Sequence, residues 1–296
     1  MGCEPADKGK TIHPHPTLCW RLTAPTFGRE KKVGIFAMAL QLAFEAVGDG
    51  PSVVILHGLL GSSRNWRGVA KALAPSHRVF SVDLRNHGQS PWAPTMSYSE
   101  MAADVRMLIG SEGLGAPVVI GHSMGGKTAM VLALETPALV GNLVIVDIAP
   151  VSYPDRFSDY LEVMSAVDTN ALTKRADAMQ LLTQRIHDND VVGFLMQNLV
   201  AQGSHFDWRV NLPAISAEMS SITGFPAELL LRRYVKPTAL IRGSLSDYVQ
   251  SEDLKAFLGA FPELRVIDVK SAGHWVHADR PADFLAALAQ TPALAK

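Results

Sequence analysis

The sequence predicts an α/β fold with a mostly parallel sheet, helices on both faces and a helical cap inserted between two strands. Three observations predict it. Short β-branched runs alternate with segments of helical spacing from residue 51 onward. The alternation stops between residues 150 and 236 and then resumes. A glycine-flanked serine, Ser123, directly follows one of the β-branched runs.

The first half of the chain alternates between strand and helix patterns. Residues 39–44 and beyond alternate in polarity as an edge strand does. Buried strands are then predicted at residues 53–56, 79–83, 118–120 and 142–147. Helices are predicted at residues 65–74, 98–109 and 127–134. Helices that cross over between parallel strands explain this order.

The second half contains the interruption. Between residues 151 and 235, apolar residues recur at helical spacing and no convincing strand pattern occurs. Strands follow at residues 237–242 and 264–269, and helices at residues 252–258 and 282–288. We therefore expect a core of residues 38–150 and 236–296, with residues 151–235 forming an all-helical cap, or lid.

The N-terminal segment differs from the rest. Residues 1–37 lack periodicity, and Pro, His, Lys and Thr dominate the stretch from Lys8 to Pro16. We expect a disordered leader that precedes the folded domain, with Met38 as an alternative start of the protein.

Composition narrows the class of protein. Lysine and arginine number 27 against 28 acidic residues, so no basic surface for a nucleic-acid partner is expected. Both cysteines, Cys3 and Cys19, lie in the leader, so no disulfide framework is predicted. No apolar run reaches the roughly twenty residues of a membrane span. We expect a cytoplasmic protein with no membrane span.

The serine motif predicts nucleophilic chemistry. In Gly-x-Ser-x-Gly, Gly121 and Gly125 flank Ser123 between a strand and a helix. A serine on such a tight turn has its hydroxyl exposed, and the glycines avoid clashes. The free N–H groups at the helix start, among them that of Met124, suit the stabilisation of an oxyanion.

A glycine-bounded turn follows the first buried strand. It runs from His57 to Gly61, and its backbone can approach a ligand closely. The N–H of Leu59 is the candidate second oxyanion donor. His57 itself is a candidate helper at the substrate pocket.

A histidine after the last strand is the candidate general base. His274 lies just beyond the strand at residues 264–269, where α/β folds place chemistry. Imidazole titrates near neutrality, so it can take the serine proton if a carboxylate orients it. Trp275, beside it, is a candidate pocket residue.

Two aspartates compete for the role of that carboxylate. Asp247 follows the strand at residues 237–242, and Asp147 ends the strand at residues 142–147. Both keep the chain order Ser, Asp, His. A carboxylate at the end of a buried strand is costly unless it is paired, which gives Asp147 a physical reason to be functional. The pattern alone leaves both open.

Five motifs together resemble the α/β-hydrolase superfamily. More narrowly, they are similar to the esterase group of the YbfF-type esterases and the abhydrolase-domain-11 proteins. The resemblance runs from about Met38 to the C-terminus. The motifs are His57–Ser62, Val82–Ser90, Gly121–Gly126, Val146–Pro150 and Ala272–His277.

The resemblance implies a carboxylester hydrolase with a helical cap, acting on small acyl esters or thioesters. It assigns the role of nucleophile to Ser123, that of base to His274, and those of the oxyanion donors to Leu59 and Met124. The group often has a serine at the place of Ser246, which favours Asp147 over Asp247 as the acid. Ser246 would then be a hydrogen-bonding helper.

The expected reaction is acyl transfer through an acyl-serine intermediate, with no cofactor and no metal. The same residues also suit a carbon–carbon bond hydrolase or a perhydrolase. A non-catalytic ligand-binding protein of this fold is the alternative from another class. For the segment at residues 82–90, we expect Arg85 and His87 to tie the loop to its neighbours and Asp83 to close the strand.

Overall fold

The structure, a computed structural model that describes residues 39–292 and residue 294, has the predicted α/β architecture. The described residues contain nine strands. They are β1 (Phe44–Val47), β2 (Ser52–Leu56), β3 (Arg78–Val82), β4 (Val118–His122), β5 (Asn142–Val146), β6 (Leu199–Gln202), β7 (His205–Trp208), β8 (Thr238–Gly243) and β9 (Leu264–Val269).

Seven of these strands form one sheet in the order β1-β3-β2-β4-β5-β8-β9. All neighbours pair in parallel except β1, which is antiparallel to β3 at the edge. The predicted mostly parallel sheet and its edge strand are therefore confirmed. Strand β4 lies between β2 and β5, so the residues that follow these three strands meet at one end of the sheet.

Ten α-helices occur in the described residues. They are α1 (Arg67–Leu73), α2 (Tyr98–Ser111), α3 (Met124–Glu135), α4 (Ser158–Ser165), α5 (Arg175–Thr183), α6 (Asn189–Met196), α7 (Leu212–Ala217), α8 (Met219–Thr223), α9 (Val276–Asp279) and α10 (Pro281–Ala289). The helix expected at residues 252–258 is only a 3-10 helix, Asp253–Ala256.

Apolar side chains pack on both faces of the sheet. Val54 and Leu56 of β2 belong to the cluster that includes α2 and α3. Val53 and Ile55 face the other way, toward the cluster with α1 and α10. Successive residues of a strand point to opposite faces, so a β-branched run supplies both layers.

The segment between β5 and β8 contains α4 to α8 and one hairpin. The expectation that it lacks strands was wrong, because β6 and β7 pair antiparallel across the turn at Gly203 and Ser204. Gly203 has a φ of 62°, a conformation that glycine adopts without steric cost. The apolar spacing continues from α6, which ends at Met196, into β6, which begins at Leu199, so it did not reveal the strand.

The expected leader, with Cys3, Cys19 and Met38, lies outside the described residues. Within the described part of the chain, no helix is long and apolar enough to cross a membrane.

Two buried neutral histidines hold the turn after β2. His57 Nε2 accepts from the Leu84 N–H at 3.0 Å, and His87 Nε2 accepts from the Leu60 N–H at 3.1 Å. Leu60 has a φ of 58°, so this contact supports a strained turn. Burial lowers the pKa of His57, and it lowers that of His87 to about 3. Both rings therefore stay unprotonated and free to accept.

The loop after β3 is tied down as the sequence predicted. Asp83 accepts from the backbone N–H groups of Ser63 and Gln89. The Arg85 guanidinium forms a two-point ion pair with buried Asp104, at 2.7 and 2.8 Å. The contact of Asp83 with Ser63 joins the loop at residues 82–90 to the loop at residues 57–63, and the Arg85 ion pair ties it to α2.

The lowered pKa of His87 predicts acid sensitivity. Its pKa is about 3 in the folded state against an ordinary value of 6.5, so acid protonates the unfolded chain first. Its stabilising contribution is present above pH 6.5 and is lost as the pH falls toward 3. Chemical denaturation should give a lower free energy of unfolding at pH 5 than at pH 7. In His87→Gln this decrease should be smaller by about 2 kcal/mol.

The matched control is His187→Gln, at an exposed histidine. Its free energy of unfolding should decrease between pH 7 and pH 5 by as much as that of the wild type. Equal losses in wild type and His87→Gln would contradict the role given to His87.

Candidate active site

The candidate nucleophile sits on a strained turn between β4 and α3. Ser123 has a φ of 51° and a ψ of −119°, a rare conformation for a residue with a side chain. Its backbone N–H donates to the Val146 carbonyl of the neighbouring strand at 3.1 Å, which fixes the turn against β5. Strain of this kind is typical of functional positions.

The flanking glycines are required by space. A Cβ on Gly121 would lie 2.2 Å from the Gly125 carbonyl oxygen. A Cβ on Gly125 would lie 2.5 Å from the carbonyl oxygens of Leu56 and His57. The turn can therefore fold so tightly only with glycine at both places.

Two backbone N–H groups next to Ser123 are available to an oxyanion. Among the hydrogen bonds of the described residues, neither the Leu59 N–H nor the Met124 N–H donates to a protein acceptor. Met124 begins α3, so its N–H is one of those a helix leaves free, at the positive end of the helix dipole. Leu59 belongs to the turn that His57 and His87 hold.

His274 pairs with Asp147 and not with Asp247. The His274 Nδ1 and the Asp147 Oδ2 lie 2.8 Å apart. Asp147 follows β5 directly, is fully buried and has a φ of 52°. Asp247 is 61% exposed and forms an ion pair with Arg156 at 2.7 Å. The structure therefore brings together Ser123, His274 and Asp147 at the end of three strands.

Two further donors satisfy the buried carboxylate. The Gly243 N–H donates to Asp147 Oδ1 at 3.0 Å, and the Ser246 hydroxyl donates to Asp147 Oδ2. A buried carboxylate is costly unless hydrogen bonds compensate it, and here two donors besides the imidazole do so. Ser246 thus occupies the helper position that the resemblance implied.

Sequence reasoning missed two groups that fix the imidazole. The Tyr248 ring stacks on the His274 ring with centroids 3.6 Å apart. Tyr153 holds Tyr248 in turn, since its hydroxyl donates to the Tyr248 carbonyl at 2.6 Å. The only available signal was that Tyr248 is two residues from Ser246.

His122, the residue before Ser123, contacts the loop of the candidate base. Its Nε2–H donates to the His274 backbone carbonyl at 2.9 Å. Burial, helped by the nearby imidazoles, lowers the pKa of His122 well below the usual range. Neutral His122 therefore holds the backbone of His274 in position through this hydrogen bond.

Ser123 and His274 line one cleft of about 850 Å³. His57, Trp275 and the cap residues Phe157 and Phe194 line it too. Phe194 and Trp275 face each other with ring centroids 5.5 Å apart. Other apolar cap residues, such as Met164 and Met196, lie buried in the packed interior.

The nucleophile and the base are not joined by a hydrogen bond in the described residues. Such contacts are often long without a substrate and shorten in the reacting complex. Within the described residues, no cluster of three His, Cys, Asp or Glu side chains could hold a metal ion.

The chain is similar to named proteins across most of its length. A mouse protein named sn-1-specific diacylglycerol lipase ABHD11 is 39% identical over 80% of this chain and 80% of the mouse protein. The Escherichia coli esterase YbfF is 33% identical over 80% of this chain and 91% of the esterase. The structure of a marine microorganism esterase superposes with a TM-score of 0.82 at 30% identity, covering 86% of this chain and 100% of that one.

The family model described as the alpha/beta hydrolase fold matches residues 51–281, the region that carries the sheet, the turn at Ser123 and the cleft. That match spans well over half of the sequence, and the relatives agree with it. The chain therefore belongs to the alpha/beta hydrolase fold family.

Proposed function

We propose that this chain is a serine carboxylesterase that hydrolyses small acyl esters through an acyl-enzyme intermediate. One observation carries the proposal: a fully buried carboxylate, Asp147, is hydrogen-bonded to an imidazole that lines the same cleft as Ser123. This is the relation of acid, base and nucleophile that acyl transfer requires. The printed names of the relatives, esterase and lipase, agree with it.

In the first step, Ser123 Oγ attacks the acyl carbonyl carbon while His274 Nε2 takes the hydroxyl proton. The carbonyl oxygen becomes an oxyanion, and the N–H groups of Leu59 and Met124 stabilise it. The tetrahedral adduct then expels the alcohol, which receives its proton from His274. Asp147 keeps Nδ1–H directed at itself, so Nε2 faces the serine.

In the second step, a water molecule attacks the acyl-serine carbonyl and gives its proton to His274. The second tetrahedral adduct collapses, Ser123 regains its proton, and the carboxylic acid leaves. The neutral histidines around His274 donate no proton in this scheme. The cap, with Phe157 and Phe194, contacts the substrate.

The cytoplasmic location and the cap boundaries at residues 151 and 235 stay predictions.

Replacing the nucleophile tests the proposal. Ser123→Ala removes the attacking oxygen, so hydrolysis of p-nitrophenyl acetate should fall by at least about a thousandfold. The thermal midpoint should change little, because the substitution removes one small polar atom. Turnover retained in a folded Ser123→Ala protein would overturn the assignment.

The same variant separates an enzyme from a ligand-binding protein. A fluorophosphonate probe should label wild type at Ser123 and leave Ser123→Ala unlabelled, as judged by intact-protein mass. A folded wild-type protein that resists labelling favours the ligand-binding alternative. Product analysis with esters and with carbon–carbon substrates distinguishes the remaining hydrolase classes.

Replacing each aspartate tests the acid. Asp147→Asn should lower kcat by about ten thousandfold, because an amide favours the wrong tautomer of His274. Asp247→Asn should change kcat less than about threefold, since exposed ion pairs contribute little. The measurement is steady-state hydrolysis of p-nitrophenyl acetate.

Asp247→Asn is the matched control, because it makes the same substitution at an exposed aspartate, in the loop that follows β8. Circular dichroism on both variants shows whether they fold. Similar mild losses in two folded variants would contradict the role of Asp147.

A further inference from the structure

Two spaces of very different size meet at Ser123. One is the cleft of about 850 Å³, and the other is a compartment of about 40 Å³. Leu59, Ser123 and Phe157 line both, so they form the boundary. The compartment is lined further by the following residues: Tyr98, Met124, Lys127, Tyr153, Met219 and Ile222.

The chemistry of acyl transfer assigns a role to each space. The alcohol must receive its proton from His274, and His274 lines the cleft and not the compartment. The alcohol part of an ester therefore lies in the cleft. The compartment contacts both residues that supply the oxyanion donors, Leu59 and Met124. The carbon chain of the acyl group points there.

We propose that the compartment is a short-acyl site that restricts this enzyme to acyl groups of two to four carbons. This inference rests on the proposed esterase function. A volume of 40 Å³ holds about three water molecules, which corresponds to about three heavy atoms beyond the carbonyl carbon. Acetyl, propionyl and butyryl groups fit, and longer chains exceed the space.

The far wall of the compartment is fixed by hydrogen bonds from the core. The Tyr98 hydroxyl donates to the Ile222 carbonyl at 2.6 Å. Lys127 Nζ donates to the carbonyls of Thr223 at 2.9 Å and Gly224 at 2.6 Å. These three contacts hold the end of α8, which carries Met219 and Ile222, against α2 and α3. The compartment therefore cannot lengthen unless α8 moves.

The end of the compartment is also chemically unsuited to a longer chain. Lys127 is 1% exposed, and its ammonium lies 4.7 Å from the Tyr153 ring centroid. Burial lowers its pKa to about 7, and in the described residues no carboxylate pairs with it. A methylene chain could pass this group only by displacing it from its carbonyl partners, and it offers no hydrogen bond in their place, which makes the displacement costly.

Two ester series with purified full-length protein test the size limit. Along p-nitrophenyl acetate, butyrate, hexanoate and octanoate, kcat/KM should drop at least about tenfold after butyrate. Along ethyl, hexyl and decyl acetate, which lengthen only the alcohol, kcat/KM should vary by less than that drop. A kcat/KM that rises through octanoate would overturn the inference.

A cap variant tests the wall itself. Ile222→Ala enlarges the compartment, so the ratio of kcat/KM for hexanoate to that for acetate should rise about tenfold or more. Ile215→Ala is the matched control, since Ile215 is fully buried in α7 and does not line the compartment. It should leave the ratio unchanged. If Ile222→Ala fails to fold, Met219→Ala opens the same wall.

The two proposals fail in different ways. A folded wild type that hydrolyses none of these esters rejects the esterase function. If the protein hydrolyses p-nitrophenyl acetate and p-nitrophenyl octanoate at equal rates, only the short-acyl site is rejected. An equal rise of the ratio in Ile222→Ala and Ile215→Ala would show general loosening of the cap and would likewise reject the assignment of the wall.

Discussion

The buried carboxylate of Asp147 is the constraint on which the rest of the site depends. It is fully buried, and it accepts from the Gly243 N–H and the Ser246 hydroxyl while it pairs with His274. Removing one partner from a buried charged group costs about 3–5 kcal/mol. The loops that carry these partners are therefore held in place by the same contacts that orient the imidazole.

The sheet order explains why this carboxylate can serve Ser123. Strands β4 and β5 are parallel neighbours, and each is followed at once by a residue with a left-handed backbone, Ser123 at 51° and Asp147 at 52°. The Ser123 N–H donates to β5, and the Asp147 N–H donates to Ile241 of β8. Each of these turns is thus hydrogen-bonded to the neighbouring strand of the sheet. The sheet therefore sets the distance between the nucleophile and the acid.

Much of this arrangement follows from local pattern. Ser123 and the succession of strands and helices along the chain could be predicted because glycine spacing and β-branched runs act within a few residues. The preference for Asp147 came from a resemblance and from the cost of a buried carboxylate, and the geometry agrees. The Tyr248 stack and the hairpin at residues 199–208 could not be predicted, because they depend on contacts or pairing that short windows of apolar spacing do not encode.

The same limit applies to the histidines, and burial explains how they differ. Four of them line the cleft: His57, His122, His274 and His277. Burial lowers the pKa of His57, His122 and His277, to about 4 in the case of His277, so these three rings are neutral at neutral pH. His274 alone among the four pairs with a carboxylate. An imidazolium formed on His274 is stabilised by its contact with Asp147, whereas none of the other three rings forms a salt bridge with a carboxylate in the described residues, so proton transfer is directed to the ring beside Ser123.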